Sequence, residues 1–432
     1  MTGSPFSRET ARLRRNSLWL LLARIGTQGL AVLFTLLLAR RLGSAGFGEY
    51  AFIAAAIFVG NGLTTFGTDM LLIREIAARN ELSGLPAALV IQLGLSAIFI
   101  ALVWLSAPAL PNQSPSAQLA LQIYSLALIP LAFYTVFTTA LRGRQLMGSY
   151  TVLNLLVASA QVVVIWLFVQ QTGSIVALAV LLLALQAGAA LLAGCLCTLR
   201  IGEFWQGWRF SWTDVRAIVA ASAPLGWLSL LGMLYQKLSL TLLSLLAGAA
   251  VTGFFSVAQR ALEAAKTGHL AAFTALYPAM AEANADPHGR QPLLAALRSS
   301  RKLLIAGAVL AALALFLFAA PLVGLLFGVG FEQAVAVLRI LAWVLVPYTV
   351  NSILTLAYLA ANRERPVSVA LSASLLGLAG LSLYWIPTAG AVGAAWASLA
   401  AESLQMGILL AYPSPSPAPR KQGEMHEFSH LS

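Results

Sequence analysis

The chain has 432 residues, of which 59% are hydrophobic and only 9% charged, and its formal net charge is +11. A soluble domain is about 25% charged because its surface faces water, so this composition excludes an ordinary soluble protein. The basic residues lie in short segments between long apolar runs, without an aromatic-interleaved soluble domain to carry them, so the charge does not indicate binding of nucleic acid.

Apolar runs of about 20 residues are each long enough to cross about 30 Å of hydrocarbon. The first run follows the basic segment RLRR, but it is too long for a signal peptide, so we keep it as a span and expect no cleavage. The predicted spans are twelve in number: 17–39, 46–67, 85–107, 119–140, 150–170, 174–199, 217–246, 251–279, 303–327, 333–360, 366–386 and 390–412.

Lys and Arg accumulate in alternate connecting segments, which indicates the orientation. One set of segments holds nearly all of them, whereas the other holds only Arg40, Arg41 and, at a helix edge, Arg339. Because basic residues favour cytoplasmic loops, both termini are predicted to face the cytoplasm. The longest predicted outer loop is 107–118, so no external catalytic domain is expected. Arg40 and Arg41 are interpreted as outer headgroup anchors, with a gate as the alternative.

Two halves of the chain resemble each other at an offset of 207 residues. Six spans per half is an even number, so the sequence predicts an all-α integral membrane protein with two six-helix lobes related by a parallel pseudo-twofold axis. The matched residues include Leu36 with Leu243, Gly46 with Gly253, Phe66 with Phe273, and Glu75 with Glu282.

The predicted domains follow from this repeat. Residues 1–200 form the N-terminal lobe, and residues 217–412 form the C-terminal lobe. Between them, residues 201–216 carry three tryptophans and two arginines, which is typical of a cytoplasmic linker lying in the membrane interface. The Pro/Ser-rich and charged segment 413–432 is predicted to be a disordered cytoplasmic tail.

Motifs for chemistry in water are absent from the sequence. It contains no P-loop, no HExxH motif and no GxSxG motif. Cys195 and Cys197 form a C-L-C sequence within an apolar run, which lacks the spacing of a redox or zinc site. We therefore predict a transporter and not an enzyme, with no catalytic residue, no metal and no cofactor.

Several segments carry a family resemblance: LLLARRLGSAGFGEYAFIAAAI, DMLLIREIAARN, FFSVAQRALEAA and ALYPAMAEA. They resemble the O-antigen and polysaccharide flippase (Wzx-like) family of the multidrug/oligosaccharidyl-lipid/polysaccharide exporter superfamily. The resemblance implies a MATE-like flippase fold, in which two six-helix lobes surround a cavity that opens to each side in turn, and a lipid-linked oligosaccharide as cargo. The peptidoglycan-precursor flippases are similar but normally have fourteen helices.

Basic residues at membrane depth are the candidate substrate ligands. An ionisable residue there costs about 2.5–3.5 kcal/mol on insertion scales, so it is expected to face a cavity or a partner. The resemblance places cavity walls at the first, seventh and eighth helices, and a basic cavity suits a diphosphate. The candidate ligands are Arg24, Gln28, Lys237, Arg260 and Lys266.

Structural roles for these residues stay open in the sequence. Arg24 can snorkel towards the interface or pair with an acid of the other lobe. Arg260 and Lys266 each lie three residues from Glu263 and can form ion pairs with it. Lys237 has no acid within a helical turn, which favours contact with the cargo.

Two intramembrane acids are candidates for ion coupling. Glu402 lies near the middle of the twelfth predicted span, and a carboxylate there can take up and release a proton. Glu263 in the eighth span is the second candidate. The alternative for Glu402 is a structural acid that is satisfied by neighbouring hydroxyl groups.

The leading hypothesis is a flippase that moves a polyprenyl-diphosphate-linked oligosaccharide to the outer leaflet of a bacterial inner membrane, for polysaccharides such as O-antigen or exopolysaccharide. Its expected partners are this substrate, membrane lipids and, as candidates, a polysaccharide polymerase and other assembly proteins. A drug or metabolite exporter of the same superfamily is the nearest alternative. A membrane polymerase or glycosyltransferase is less favoured, because it would need a substantial outer loop.

Overall fold

The computed structural model describes residues 5–171, 174–202, 204–206, 208, 210–285, 290–361 and 363–413. Apart from its first residue, the predicted tail lies outside this part of the chain. The described residues form helices and no strand. The helices are α1 (Pro5–Thr65), α2 (Thr68–Arg79), α3 (Leu85–Ser106), α4 (Pro115–Ser125), α5 (Leu128–Gly143), α6 (Met147–Gln171), α7 (Ile175–Arg200), α8 (Trp212–Ala247), α9 (Ala249–Ala285), α10 (Arg290–Leu317), α11 (Ala319–Phe327), α12 (Gln333–Ala360) and α13 (Glu364–Ala411).

Two helices are too long to be single spans. The 44 residues from Leu22 to Thr65 in α1 and the 48 residues of α13 would extend over about 66 Å and about 72 Å at about 1.5 Å per residue, more than twice the hydrocarbon thickness. The backbone leaves helical geometry at Gly43 (φ 65°, ψ −175°) in α1 and at Gly390 (φ 54°, ψ −129°) in α13. Each of these helices therefore contains two spans.

The described helices account for eleven of the predicted spans, and α9 would be the twelfth. Eight helices are long and apolar enough to cross a membrane, and α10 with α11 adds a ninth that bends by 66°. Dividing α1 and α13 at their glycines adds two more. The last is α9, whose described part carries Arg260, Glu263 and Lys266 and is therefore less apolar.

The helices pack as two lobes. In lobe 1, comprising α1–α7, α1 packs against α3 and α6, and α5 packs against α7; in lobe 2, comprising α8–α13, α12 packs against α9, α10 and α13. The largest buried cluster joins the lobes, since it contains Leu38 and Phe47 as well as Leu243, Phe255 and Leu341. The segment 201–211 connects the lobes, and α8 begins at Trp212, inside the linker predicted from sequence.

Basic residues divide the bundle into two unlike faces. The start of α1, α2, the α5–α6 turn and the α7–α8 connection share one face, which we call the arginine-rich face; Gly43, the segment 107–114 and Gly248 lie on the opposite face. The described basic residues of the arginine-rich face include Arg74, Arg79, Arg142, Arg144, Arg200, Arg216, Arg301, Lys302, Arg363 and Arg365.

The backbones of the two lobes meet where two glycines cross on the opposite face. A Cβ atom added at Gly48 would lie 1.8 Å from the carbonyl oxygen of Ala249, and one added at Gly253 would lie 2.0 Å from that of Ser44. Ser44 and Ala249 differ by 205 positions, as do Gly48 and Gly253. The contact is therefore reciprocal, as a pseudo-twofold axis requires, and its offset is two residues shorter than the alignment of the halves by sequence.

Replacing Gly48 with Ala should destabilise the protein. The added methyl group would clash with the backbone of Ala249 and Gly253, which cannot rotate away as a side chain can. Overpacking of this kind costs about 1–3 kcal/mol. Gly94 of α3 is the matched control, because a Cβ there meets nothing within 4 Å. Thermal unfolding in detergent is expected to show a lower melting temperature for G48A than for G94A. Equal melting temperatures would contradict the close contact.

Candidate functional site

Three charged side chains meet between α8 and α9. Lys237 Nζ lies 3.5 Å from Glu263 Oε1, and an Arg260 guanidinium nitrogen lies 3.1 Å from Glu263 Oε2. Arg260 and Glu263 are three residues apart on α9, so their pairing could be predicted from helical spacing. Lys237 on α8 pairs with the same carboxylate on α9. The sequence around Lys237 does not indicate this partner, because it lies on another helix.

Lys237 also contacts the other lobe. Its ammonium nitrogen lies 5.1 Å from the ring centroid of Phe58, which belongs to α1. A cation over an aromatic face within about 6 Å is attracted by the ring quadrupole. The Lys237 side chain is only 15% exposed, so this contact forms in a partly desolvated place between the lobes.

Lys266 lies one helical turn beyond Glu263 on α9, but it does not join that ion pair. Its ammonium nitrogen lies 4.1 Å from the ring centroid of Tyr348 on α12. Among the described residues, Lys266 has no carboxylate oxygen within 4.0 Å. The sequence left pairing with Glu263 open; in the structure Lys266 contacts an aromatic ring, and Glu263 and Glu402 act on it only from a longer distance.

Arg24 and Gln28 lie one turn apart on α1, in lobe 1. Arg24 is exposed and Gln28 is half-buried. Arg24 exerts a weak electrostatic influence on Tyr348, the ring beneath Lys266. The name basic cleft is used below for the interlobe region around Lys237, Arg260 and Lys266, with Arg24 at its exposed edge.

The basic cleft carries an excess of positive charge. Among the described residues, the carboxylates found near its four basic side chains are those of Glu263 and Glu402. Glu263 already contacts Lys237 and Arg260. Even with both carboxylates ionised, the region keeps about two uncompensated positive charges, which suits an anion.

Glu402 lies on α13 in a more enclosed place. It is 6% exposed and accepts a hydrogen bond of 2.8 Å from Asn351 Nδ2, which also donates to the Glu402 backbone carbonyl. Asn351 Oδ1 is buried and has no hydrogen-bond partner within the described structure, and the Tyr235 hydroxyl of α8 lies beside Glu402. Glu402 thus has an amide partner from α12 and a neighbouring hydroxyl from α8, so the alternative of a structural acid satisfied by hydroxyl groups stays open.

Polar contacts join the lobes on the opposite face. Arg40 of lobe 1 donates to the carbonyl oxygens of Leu325 at 2.6 Å and Leu326 at 2.8 Å, close to the C-terminal end of α11. The free carbonyls there carry partial negative charge, so a guanidinium is a favourable cap. Nearby interlobe hydrogen bonds run from Asn112 Nδ2 to the Leu245 carbonyl and from Gln113 Nε2 to Ser244.

The described residues contain no group of three or more His, Cys, Asp or Glu side chains that could hold a metal ion. The arrangement consists of paired and unpaired cations, aromatic rings and one enclosed carboxylate. Such groups can bind an anion and change partners when helices move, without making or breaking covalent bonds.

Comparison with solved structures identifies the fold. The chain matches an inward-facing multidrug resistance MATE family transporter of the MOP superfamily (17% identity, 90% and 97% of the two chains covered, TM-score 0.65). It also matches the lipid II flippase MurJ in an inward closed conformation (15%, 91% and 86%, 0.63). A third match is a MOP superfamily transporter from Pyrococcus furiosus, described as having a binding pocket of reverse polarity (16%, 92% and 93%, 0.63).

These likenesses show that the chain has the fold of MOP-superfamily transporters, and its long apolar helices are those of a multi-pass membrane protein. No curated protein matches the sequence. A family model described as polysaccharide biosynthesis protein matches residues 13–284, which is more than half of the chain. The chain therefore belongs to the polysaccharide biosynthesis protein family, as the resemblance of its motifs predicted.

Replacing Arg40 with Gln should loosen the opposite face. The variant loses two charge-assisted hydrogen bonds between the lobes, whereas Arg41→Gln removes the same charge from a residue that instead lines a cavity beside Glu49 and Ser114. Hydrogen exchange measured by mass spectrometry is expected to be several-fold faster in peptides covering 43–48 and 248–253 for R40Q. If R41Q has the same effect, the contact of Arg40 with α11 is not what holds this face.

Proposed function

We propose that the protein is a flippase that moves a polyprenyl-diphosphate-linked oligosaccharide across a bacterial inner membrane for the synthesis of a cell-surface polysaccharide. The observation that carries the proposal is the basic cleft between the lobes. It combines surplus positive charge with the fold of a transporter and membership of a polysaccharide biosynthesis family.

Lys266 and Arg24 are the proposed diphosphate ligands. Lys266 is held over the ring of Tyr348 and has no carboxylate oxygen within 4.0 Å among the described residues; Glu263 and Glu402 act on it only from a longer distance, so no ion pair has to break for its ammonium group to bind a ligand. Arg24 approaches from the other lobe and can grip phosphate oxygens bidentately, whereas Lys supplies a mobile point charge. Gln28, one turn from Arg24, is suited to hydrogen bonding with the first sugar.

Lys237 and Arg260 have a different proposed role. Both are engaged with Glu263, so a diphosphate would have to displace that carboxylate to reach them. Such an exchange of partners costs little when the incoming anion replaces the outgoing one. These residues would thus bind the headgroup at a later stage of its passage, after the lobes have moved.

The polyprenyl tail is proposed to stay in the bilayer while the headgroup crosses. Arg24 lies between Leu22 and Ile25, which are 55% and 57% exposed. A cation with apolar, exposed neighbours on the same helix suits a ligand that is charged at one end and apolar along its length. A soluble drug would not need this combination.

The arginine-rich face is proposed to be cytoplasmic, because basic residues are retained on that side during insertion. The substrate would then enter from the side on which it is synthesised. The interlobe contacts of Arg40, Asn112 and Gln113 would close the outer end until the lobes pivot. A polymerase acting on the released glycan is the proposed downstream partner.

Flipping of a polyprenyl-diphosphate oligosaccharide in proteoliposomes tests the proposal. Arg24→Gln and Lys266→Met should each slow translocation by about tenfold or more, because a charge-assisted contact contributes about 1.5–3 kcal/mol and 1.4 kcal/mol is a factor of ten. Lys302→Met is the matched control, since Lys302 is an exposed lysine near the arginine-rich end of α10.

Incorporation and folding are compared by size-exclusion chromatography before transport is measured. Flipping that is lost in R24Q and K266M but kept in K302M would support the cleft as the cargo site. Absence of flipping for several glycans, together with export of a soluble compound, would instead identify a drug or metabolite exporter.

Glu402 is the proposed site of ion coupling. Its carboxylate is enclosed and held by the neutral Asn351, so a proton can neutralise it without breaking an ion pair. Glu263 is the weaker candidate, because protonating it would leave Lys237 and Arg260 without their shared counter-ion. Transport could then follow a proton gradient or the membrane potential, where a unit charge is worth about 2.3 kcal/mol per 100 mV.

Glu402→Gln should abolish any stimulation of flipping by an imposed pH gradient, because the amide keeps the shape of the side chain but cannot take up a proton. Glu263→Gln should lower the basal rate and keep the stimulation. The measurement is the ratio of flipping rates with and without the gradient. A stimulated E402Q variant would exclude Glu402 as the coupling residue.

A further inference from the structure

A second basic site lies on the arginine-rich face of lobe 1, away from the basic cleft. A cavity of about 390 Å³ is lined by residues from three elements: the end of α2, the α5–α6 turn and the end of α7. Its lining residues are Asn80, Arg144, Leu146, Arg200, Ile201 and Gly202.

Two left-handed backbone positions shape this cavity. Asn80 ends α2 with φ 60° and its N–H donates to the Ile76 carbonyl; Gln145 has φ 57° in the turn after α5. The turn is closed by the Leu146 N–H, which donates to the Leu141 carbonyl at 2.8 Å. These turns bring Arg144 to Asn80, whose Oδ1 accepts a hydrogen bond from the guanidinium.

One part of the Arg144 guanidinium has no partner in the described structure. Its Nε atom is buried and makes no hydrogen bond. The ion pairs among the described residues all involve Glu263, so neither Arg144 nor Arg200 is matched there by a carboxylate. A buried, charged donor without an acceptor is costly, and an anion entering the cavity would supply the missing acceptor.

Aromatic rings place this cavity at headgroup depth. Close to Gly202 in the chain, the rings of Phe204, Trp205 and Trp208 pack together. The ring centroids of Phe204 and Trp205 lie 5.0 Å apart, and those of Trp205 and Trp208 lie 4.9 Å apart. All three pack on Phe137 of α5. Tryptophans concentrate where hydrocarbon meets headgroups, so the adjoining arginines lie at the level of lipid phosphates.

We infer that this cavity binds the phosphate group of an anionic membrane lipid, with Arg144 and Arg200 as its ligands. Arginine matches phosphate oxygens in a planar, bidentate geometry. The bound lipid would connect α2, α5 and α7, and so brace lobe 1 at the face where the linker to lobe 2 begins. The site is separate from the basic cleft, so it does not depend on the identity of the cargo.

Thermal stability of the full-length purified protein tests the inference. Short-chain phosphatidylglycerol should raise the melting temperature of the wild type, whereas phosphatidylcholine should not. The double variant Arg144→Gln, Arg200→Gln should lose at least about tenfold in apparent affinity for phosphatidylglycerol, as expected from two charge-assisted contacts. Arg365→Gln is the matched control, since it removes an arginine from the same face in lobe 2.

If the double variant fails to fold, Arg144→Lys is measured in its place, since lysine keeps the positive charge and lacks only the planar guanidinium group. A reduced affinity for phosphatidylglycerol in R144K, with an unchanged melting temperature in its absence, supports the site. Inorganic phosphate at millimolar concentration is the second ligand. If phosphate alone reproduces the shift, the lipid assignment is overturned in favour of a soluble phosphate; if phosphatidylglycerol stabilises all variants equally, the site itself is overturned.

Discussion

A charge inside the hydrocarbon layer must be paired or must serve a ligand, and this constraint organises the interior of the protein. Each ionisable residue there costs about 2.5–3.5 kcal/mol on insertion scales. One carboxylate, that of Glu263, pairs with two cations from different helices. Lys266 lies over an aromatic ring, which compensates an ammonium only in part. This incomplete pairing is the basis on which we propose a binding region and not a set of structural ion pairs.

The close glycine contact fixes how the two lobes meet on the opposite face. Gly48 and Gly253 let the backbones of the lobes touch, and the contacts of Arg40 there are hydrogen bonds to carbonyl groups. The largest buried cluster also joins the lobes, so any movement of one lobe against the other would require its side chains to repack around this backbone contact. Two glycines without a Cβ atom thus set how closely α1 and α9 can pack.

Sequence reasoning reached the number of spans, the two lobes and the family, because hydropathy and basic loops act along the chain. It also anticipated the pair of Arg260 with Glu263, three residues apart. It missed three contacts: the ion pair of Lys237 with Glu263, the cation–π contact of Lys266 with Tyr348, and the hydrogen bond from the Asn351 amide to Glu402. These partners lie on different helices, and their meeting depends on packing angles and helix rotation, which no local pattern encodes. For the same reason, the interpretation of Arg40 as a headgroup anchor did not include its hydrogen bonds to the Leu325 and Leu326 carbonyls in the other lobe.

The aromatic packing of the linker on lobe 1 has a mechanical consequence. Trp208 is held against Phe137, and α8 of lobe 2 begins only at Trp212. The chain between these two tryptophans can extend to about 14 Å at most, at about 3.3–3.6 Å per residue. The linker therefore limits how far the start of α8 can move away from lobe 1. If the protein moves a bulky glycan as proposed, the passage for it has to open away from this tethered edge.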